Sequence, residues 1–86
     1  MGTENMKMKT EECRLGDIVA HFFETVGRHP AKFVVTAFAG HGGCVIDKIS
    51  SRGELLAWGR MMYPDDPSYV KVGTWDFEKN REVDDE

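Results

Sequence analysis

The chain has 86 residues, 41% hydrophobic and 30% charged, and a formal net charge of −4. A chain of this length builds one small domain rather than two, because each half would have too little apolar surface to bury. It has no run of roughly 18 apolar residues, as a membrane span requires, and no signal-peptide pattern. We therefore expect a cytoplasmic protein that does not enter a membrane.

The negative charge is concentrated at the C-terminal end. Residues 76–86 contain six acidic and two basic residues, which gives −4, and the remaining nine acidic and nine basic residues of 1–75 cancel. A balanced body argues against direct binding to a nucleic-acid backbone, which requires excess positive charge. The sequence predicts a flexible segment at 1–10, one domain at 11–78 and an acidic tail at 79–86.

The first periodic segment predicts an amphipathic helix at residues 12–26. Its apolar residues recur at the i, i+3, i+4 and i+7 spacing of a helix that buries one face. They are Leu15, Ile18, Val19, Phe22, Phe23 and Val26. Gly27 is suited to a left-handed cap at the end of this helix, and Pro30 prevents the helix from continuing.

Two strands are predicted next, at 31–39 and 44–49, because both segments are rich in β-branched or aromatic residues. The first carries apolar side chains on both faces, which is typical of a well-covered strand. The intervening Gly-His-Gly-Gly at 40–43 has the length and glycine content of a hairpin turn. We therefore expect the two strands to pair antiparallel.

Residues 51–63 admit two structures. Ser51 and Glu54 match a capping box, and the strong helix formers after them favour a second helix that ends before Pro64. The alternative is a turn at 51–53 followed by a strand. A last strand is predicted at 68–77. With the second helix, the order α-β-β-α-β defines an α+β two-layer sandwich, with its helices on one face of a mainly antiparallel sheet.

His41 and Cys44, in the corner between the two predicted strands, are the main candidates for chemistry. Their spacing supplies two zinc ligands from one turn, but zinc requires four ligands, or three and a water molecule. Cys44 begins a strand, so no helix N-terminus activates its thiol for nucleophilic attack. We predict no metal, cofactor or enzymatic activity. The alternative is a minimal enzyme or metal-binding module that uses His41 and Cys44.

The two cysteines, Cys13 and Cys44, are too few for a disulfide scaffold. Two free thiols are predicted, and a single Cys13–Cys44 bridge is the alternative. The glycines at 40–43 do not match a phosphate-binding loop either, because such loops join a strand to a helix and here a strand follows.

Bulky apolar side chains crowd into residues 58–77, and a core of this size cannot enclose all of them. Aromatic and methionine residues are favoured at the centres of protein interfaces. The predicted partner-binding residues are Trp58, Met61, Met62, Tyr63, Tyr69 and Trp75.

The sequence thus predicts a small non-enzymatic module that acts stoichiometrically on a protein partner. It would be a homodimeric accessory factor, or a compact inhibitor of the kind that phages and other mobile elements encode. The acidic residues of 76–86 suggest a basic, nucleic-acid-binding protein as the partner.

Overall fold

A computed structural model describes residues 13–83, except for the side chain of His41, as a curled antiparallel sheet. Its strands are β1 (Asp17–Val26), β2 (His29–Phe38), β3 (Cys44–Ile49), β4 (Leu55–Met62), β5 (Tyr69–Asp76) and β6 (Arg81–Glu82). A short 3-10 turn, Gly40–Gly42, precedes β3, and residues 13–83 contain no α-helix. The predicted α+β sandwich is therefore wrong, and the fold is all β. Within the same residues, no helix has the length and hydrophobicity required to cross a membrane.

Residues 17–26 form β1 rather than the predicted helix. Ile18 and Val19 are neighbours, so in a strand they face opposite sides of the sheet. Val19 packs in one buried cluster with Phe33, and Ile18 packs in another with Val34. Burial on both faces removes the alternation that identifies most strands, and the remaining apolar run resembles a helical stripe.

The turn between β1 and β2 explains the role of Gly27. Val26 pairs with His29, which leaves Gly27 and Arg28 as a two-residue hairpin loop. Gly27 has a φ of 64°, a conformation that two-residue hairpins require and that glycine adopts without strain. The left-handed conformation expected at this position is confirmed, but it belongs to a hairpin turn and not to a helix cap.

The predicted strands at 31–39, 44–49 and 68–77 are confirmed as β2, β3 and β5, within two residues at each end. β2 and β3 pair antiparallel around the glycine corner, with Phe38 opposite Cys44. These segments combine β-branched and aromatic residues with clear turn residues at their ends, so local sequence is sufficient to place them.

The second predicted helix is also wrong, and residues 55–62 form β4, as in the hairpin alternative. The side-chain oxygen of Ser50, and not that of Ser51, accepts the N–H groups of Arg52 and Glu54 at 3.2 and 3.1 Å. Gly53, at φ 84°, completes the turn. A serine hydroxyl can satisfy backbone N–H groups in a tight turn as well as at a helix N-terminus, which is why the capping pattern was ambiguous.

The sheet curls into a half-barrel, and the curl suits the short connection between β4 and β5. The order β4-β3-β2-β1-β5-β6 places β4 and β5 four strand spacings apart, about 19 Å in a flat sheet. Only residues 63–68 join them, and this segment is shortened by a turn in which Asp66 N–H donates to the carbonyl of Tyr63 at 2.9 Å. Curling brings the two strands close enough for this connection.

Each face of the sheet carries its own apolar cluster. The inner cluster contains Val19, Ala31, Phe33, Val35, Cys44, Ile46 and Met62. The outer cluster contains Ile18, Val34, Ile49 and Trp75. Arg60 of β4 covers the inner face. Its guanidinium lies over the ring of Phe33 and forms an ion pair with the Glu24 carboxylate of β1 at 2.7 Å. The core is thus divided between two thin layers, and many large apolar side chains stay exposed.

Candidate functional site

The structure separates the six residues that the sequence assigned to a partner-binding surface. Met62 is buried in the inner cluster and Trp75 in the outer cluster, while Tyr69 is half-buried on the inner face. The remaining three are exposed: Trp58 (47%), Met61 (43%) and Tyr63 (46%). These three lie on β4 or directly after it, so the exposed part of the predicted set is limited to this segment.

β4 is an edge strand, and we refer to β4 with Tyr63 as the β4 edge. Within the described part of the chain, β4 pairs with β3 alone, so its other side faces no strand. Its exposed bulky side chains are Leu56, Trp58 and Met61. Its single charged residue, Arg60, extends over the inner face. An edge strand of this length without outward charges is suited to pairing with another chain.

A bulge in β4 is held by Asp47 of β3. Ile46 pairs with Arg60 and Lys48 with Leu56, so residues 57–59 of β4 all lie opposite Asp47. One carboxylate oxygen of Asp47 accepts the N–H groups of Trp58 and Gly59 at 2.9 and 2.8 Å. Gly59 has a φ of 70°, which glycine adopts without strain. The bulge therefore sets the direction of Trp58.

The protonation of Asp47 follows from the same contacts. Partial burial alone would raise the pKa of this carboxyl, but the N–H groups of Trp58 and Gly59 hold the pKa below its ordinary value. The hydroxyl of Thr36 adds a third hydrogen bond, to the other carboxylate oxygen at 3.2 Å. Because hydrogen bonds to the ionised form favour that form, Asp47 is a carboxylate at neutral pH and the bulge is fastened by charge-assisted bonds.

The indole of Trp58 is oriented by Lys48. The Lys48 ammonium nitrogen lies 4.8 Å from the ring centroid, within the range of a cation–π contact. Together with the bulge, this contact restricts the exposed indole. A side chain that is already restricted loses less conformational entropy when it is immobilised, so this entropy cost is reduced for Trp58.

Arg60 is satisfied within the molecule. Its guanidinium donates to Glu24 at 2.7 Å and to the Tyr69 hydroxyl at 3.4 Å, and stacks 5.0 Å from the Phe33 ring centroid. The bond from Arg60 lowers the pKa of Glu24, and the bond to Glu24 raises the pKa of Arg60. The ion pair of Arg60 with Glu24 therefore covers the inner face. Because the two charges cancel, Arg60 adds no net positive charge to the β4 edge.

The glycine corner packs against the β4 edge. A Cβ built on Gly43 would lie 2.9 Å from Met61 Cε and 3.0 Å from Tyr63 Cε1. Glycine at 43 thus allows these two side chains to cover the corner. Cys44 is buried, with its sulfur next to that of Cys13, and the His41 side chain lies outside the described residues. Residues 13–83, with that side chain excepted, contain no group of three side chains suited to bind a metal.

Sequence reasoning missed several exposed apolar residues. Phe23 is 80% exposed, and Phe22 and Phe38 are exposed as well. Phe22 and Phe23 were assigned to the buried stripe of a helix. In a regular strand, two adjacent phenylalanines face opposite sides of the sheet, although the pairing of β1 with β2 is irregular between His21 and Thr25. Near the end of a strand that is covered on one side at most, at least one of them is exposed, so the Phe-Phe pair was the available signal.

No protein-family model matches the chain, and no significant match is found among curated proteins or among solved structures.

Proposed function

We propose that the protein is a small non-enzymatic module that binds a protein partner stoichiometrically through the β4 edge. The observation that carries this proposal is an eight-residue edge strand with three exposed bulky side chains and no outward charge. A partner strand added to this edge would gain main-chain hydrogen bonds, and Leu56, Trp58 and Met61 would provide the side-chain contacts.

The partner is another cytoplasmic protein, which this chain assists as an accessory factor or blocks as an inhibitor, or it is a second copy of the chain. Two β4 edges can pair antiparallel about a two-fold axis, which gives the homodimer as a special case of the same surface. A basic, nucleic-acid-binding partner was expected from the acidic end. Glu82 of that end already pairs with Lys32 at 3.6 Å, so the apolar edge supports the proposal more strongly than the charge does.

The alternative, an enzyme or metal-binding module that uses His41 and Cys44, receives less support. Cys44 is only 1% exposed, and its thiol lies against Cys13 rather than against a base. Of the other histidines, His21 makes an edge-to-face contact with Tyr69, with 4.6 Å between the ring centroids. A nucleophilic thiol requires an accessible sulfur and a nearby base, and the described contacts of Cys44 provide neither.

The experiment compares Met61→Lys with Val72→Lys. Both residues are similarly exposed, 43% and 46%, but Val72 lies on β5 near the opposite edge. A lysine on an exposed edge opposes strand addition. The full tagged chain is used to capture its partner from the native host, and sedimentation of the purified chain measures self-association.

We expect Met61→Lys to weaken the complex at least tenfold, while Val72→Lys binds like the wild type. Circular dichroism and thermal unfolding establish that both variants are folded. Equal binding by Met61→Lys and the wild type, or equal loss in the two variants, would contradict the assignment of the β4 edge.

A further inference from the structure

Cys13 and Cys44 meet although they are 31 residues apart in the sequence. Their Sγ atoms are 2.7 Å apart, and both residues are free thiols. A disulfide bond requires a sulfur–sulfur distance of about 2.05 Å. A shift of less than about 1 Å would therefore allow a bond to form.

The approach of the two sulfurs is fixed by ordered structure on both sides. Cys44 begins β3 and is part of the inner cluster. Cys13 precedes a segment that is hydrogen-bonded to two strands. Gly16 N–H donates to the Val35 carbonyl of β2 at 2.8 Å, and the Gly16 carbonyl accepts Trp75 N–H of β5 at 2.7 Å. The thiols are thus held together by the sheet and do not meet through a mobile loop.

The start of this segment is held by a second set of bonds. Asp17 is 6% exposed, and its carboxylate accepts Arg14 N–H at 2.8 Å and pairs with Lys71 at 3.1 Å. These contacts lie within four residues of Cys13. They fix the backbone at the point where the chain enters β1, and so they fix the position of the Cys13 thiol above the inner cluster.

We propose that Cys13 and Cys44 form a reversible intramolecular disulfide that fastens the segment before β1 to β3. The oxidant is a low-molecular-weight disulfide such as oxidised glutathione. The Cys13 thiolate attacks one sulfur of the oxidant and releases one glutathione thiolate, which leaves a mixed disulfide. The Cys44 thiolate then attacks Cys13 Sγ and releases the second glutathione. The two protein thiols lose two protons and two electrons, and the oxidant becomes two thiols.

The order of the steps follows from exposure. Cys13 is half-buried and Cys44 is 1% exposed, so a dissolved disulfide reaches Cys13 first. Burial, with the neighbouring Cys44 thiol, raises the pKa of Cys13 to about 12. The thiolate is the reactive form, so closure is slow at neutral pH. Its rate rises about tenfold per pH unit between pH 7 and 10, where an ordinary thiol of pKa about 8.5 would level off.

The bond would close a loop that contains β1 and β2 and would restrict the unfolded chain. For a loop of this length, chain-entropy arguments give a decrease in the unfolding equilibrium constant on the order of a hundredfold or more. This inference does not depend on partner binding at the β4 edge, because the disulfide joins two residues of one chain and is measured on the isolated chain.

The test uses the full reduced chain, incubated with oxidised glutathione at pH 8 and then alkylated. Intact mass and peptide mapping report the state of each thiol, and denaturant titration with and without reductant reports stability. We expect the loss of two hydrogens, no alkylation, a linked pair of peptides that contain Cys13 and Cys44, and a reductant-sensitive increase in stability. Cys13→Ser should show neither the linkage nor the stabilisation.

Three results would overturn the proposal. These are alkylation of both thiols after oxidation, persistent glutathione on Cys13, and disulfide-linked dimers in place of the internal bond. Because the wild-type chain is compared with itself in two redox states, the test does not require a cysteine variant to fold.

Discussion

At one edge of the sheet, β4 presents eight residues with a single charge that is directed inward, whereas the other edge carries β6, two residues long, beside a charged end of β5. The charged residues there are Asp76 of β5 and Arg81 and Glu82 of β6. Short edge strands and charges are the usual means of preventing unwanted strand addition. The two edges thus differ in length and charge, and this difference is the reason that the proposed partner surface is placed on β4.

The edges also differ in how their side chains are held. Near β6, Glu82 pairs with Lys32, and at the start of β1 Asp17 pairs with Lys71, so charges are neutralised across strands. At β4, the one carboxylate involved, Asp47, bonds to backbone N–H groups instead and shapes a bulge. The ion pairs near β6 and at the start of β1 neutralise charges, whereas the bonds of Asp47 hold Trp58 with its indole exposed to solvent.

The largest expected effect is the loss of unfolding free energy on truncating Phe33 in the inner cluster, compared with truncating Trp58 at the exposed edge. Phe33→Ala removes a fully buried ring beneath Arg60 and should cost about 3–5 kcal/mol of unfolding free energy, which is most of the stability of a domain this small. Trp58→Ala, at the exposed edge, should cost less than about 1 kcal/mol. Denaturant titration measures both. Comparable losses would show that Trp58 is part of the core and would remove the contrast.

Asp47→Ala should cost about 1–3 kcal/mol, because two backbone N–H groups of the bulge lose their acceptor. The pKa of Asp47 is lowered in the fold, so its contribution is present above the ordinary pKa and is lost as the pH falls through the lowered value. The difference between wild type and variant should therefore shrink below about pH 4. A difference that stays constant from pH 7 to pH 2 would show that the carboxylate charge is not involved.

Gly59→Ala isolates the backbone conformation of the bulge. A Cβ there meets no atom within 4 Å, so the cost comes from the φ of 70° alone and should be about 1 kcal/mol. Gly40→Ala is the matched control, because a Cβ at Gly40 is equally free and its φ is not left-handed. Equal stability of the two variants would mean that the bulge relaxes without strain.

The smallest effect is expected at the ion pair that closes the inner face. Glu24→Gln should cost about 0.5 kcal/mol or less, since both side chains are about one-third exposed and water screens the pair. Arg60 lowers the pKa of Glu24, so this contribution is present above about pH 4.3 and is lost on acidification. Unfolding measured at pH 7 in low and high salt checks it. A loss above about 2 kcal/mol would show that the pair organises the curl of the sheet.

Part of the candidate site was readable in the sequence and part was not. The late surplus of bulky residues predicted that some of them are exposed, and Trp58, Met61 and Tyr63 are. It could not separate them from Met62, because neighbours on a strand face opposite sides and a helix was favoured over the strand. Nor could the sequence show that β4 is an edge strand, since strand order depends on pairings between distant segments.

The sequence by itself determined the β2–β3 hairpin, the strand β5 and the left-handed glycine at 27, because β-branched runs and glycine turns act over a few residues. Only the tertiary structure decided that residues 17–26 and 55–62 are strands. Their local patterns fit a helix equally well, and the choice depends on burial against two faces of a sheet built by other segments. The meeting of Cys13 with Cys44 has the same origin, since it requires the sheet to be assembled first.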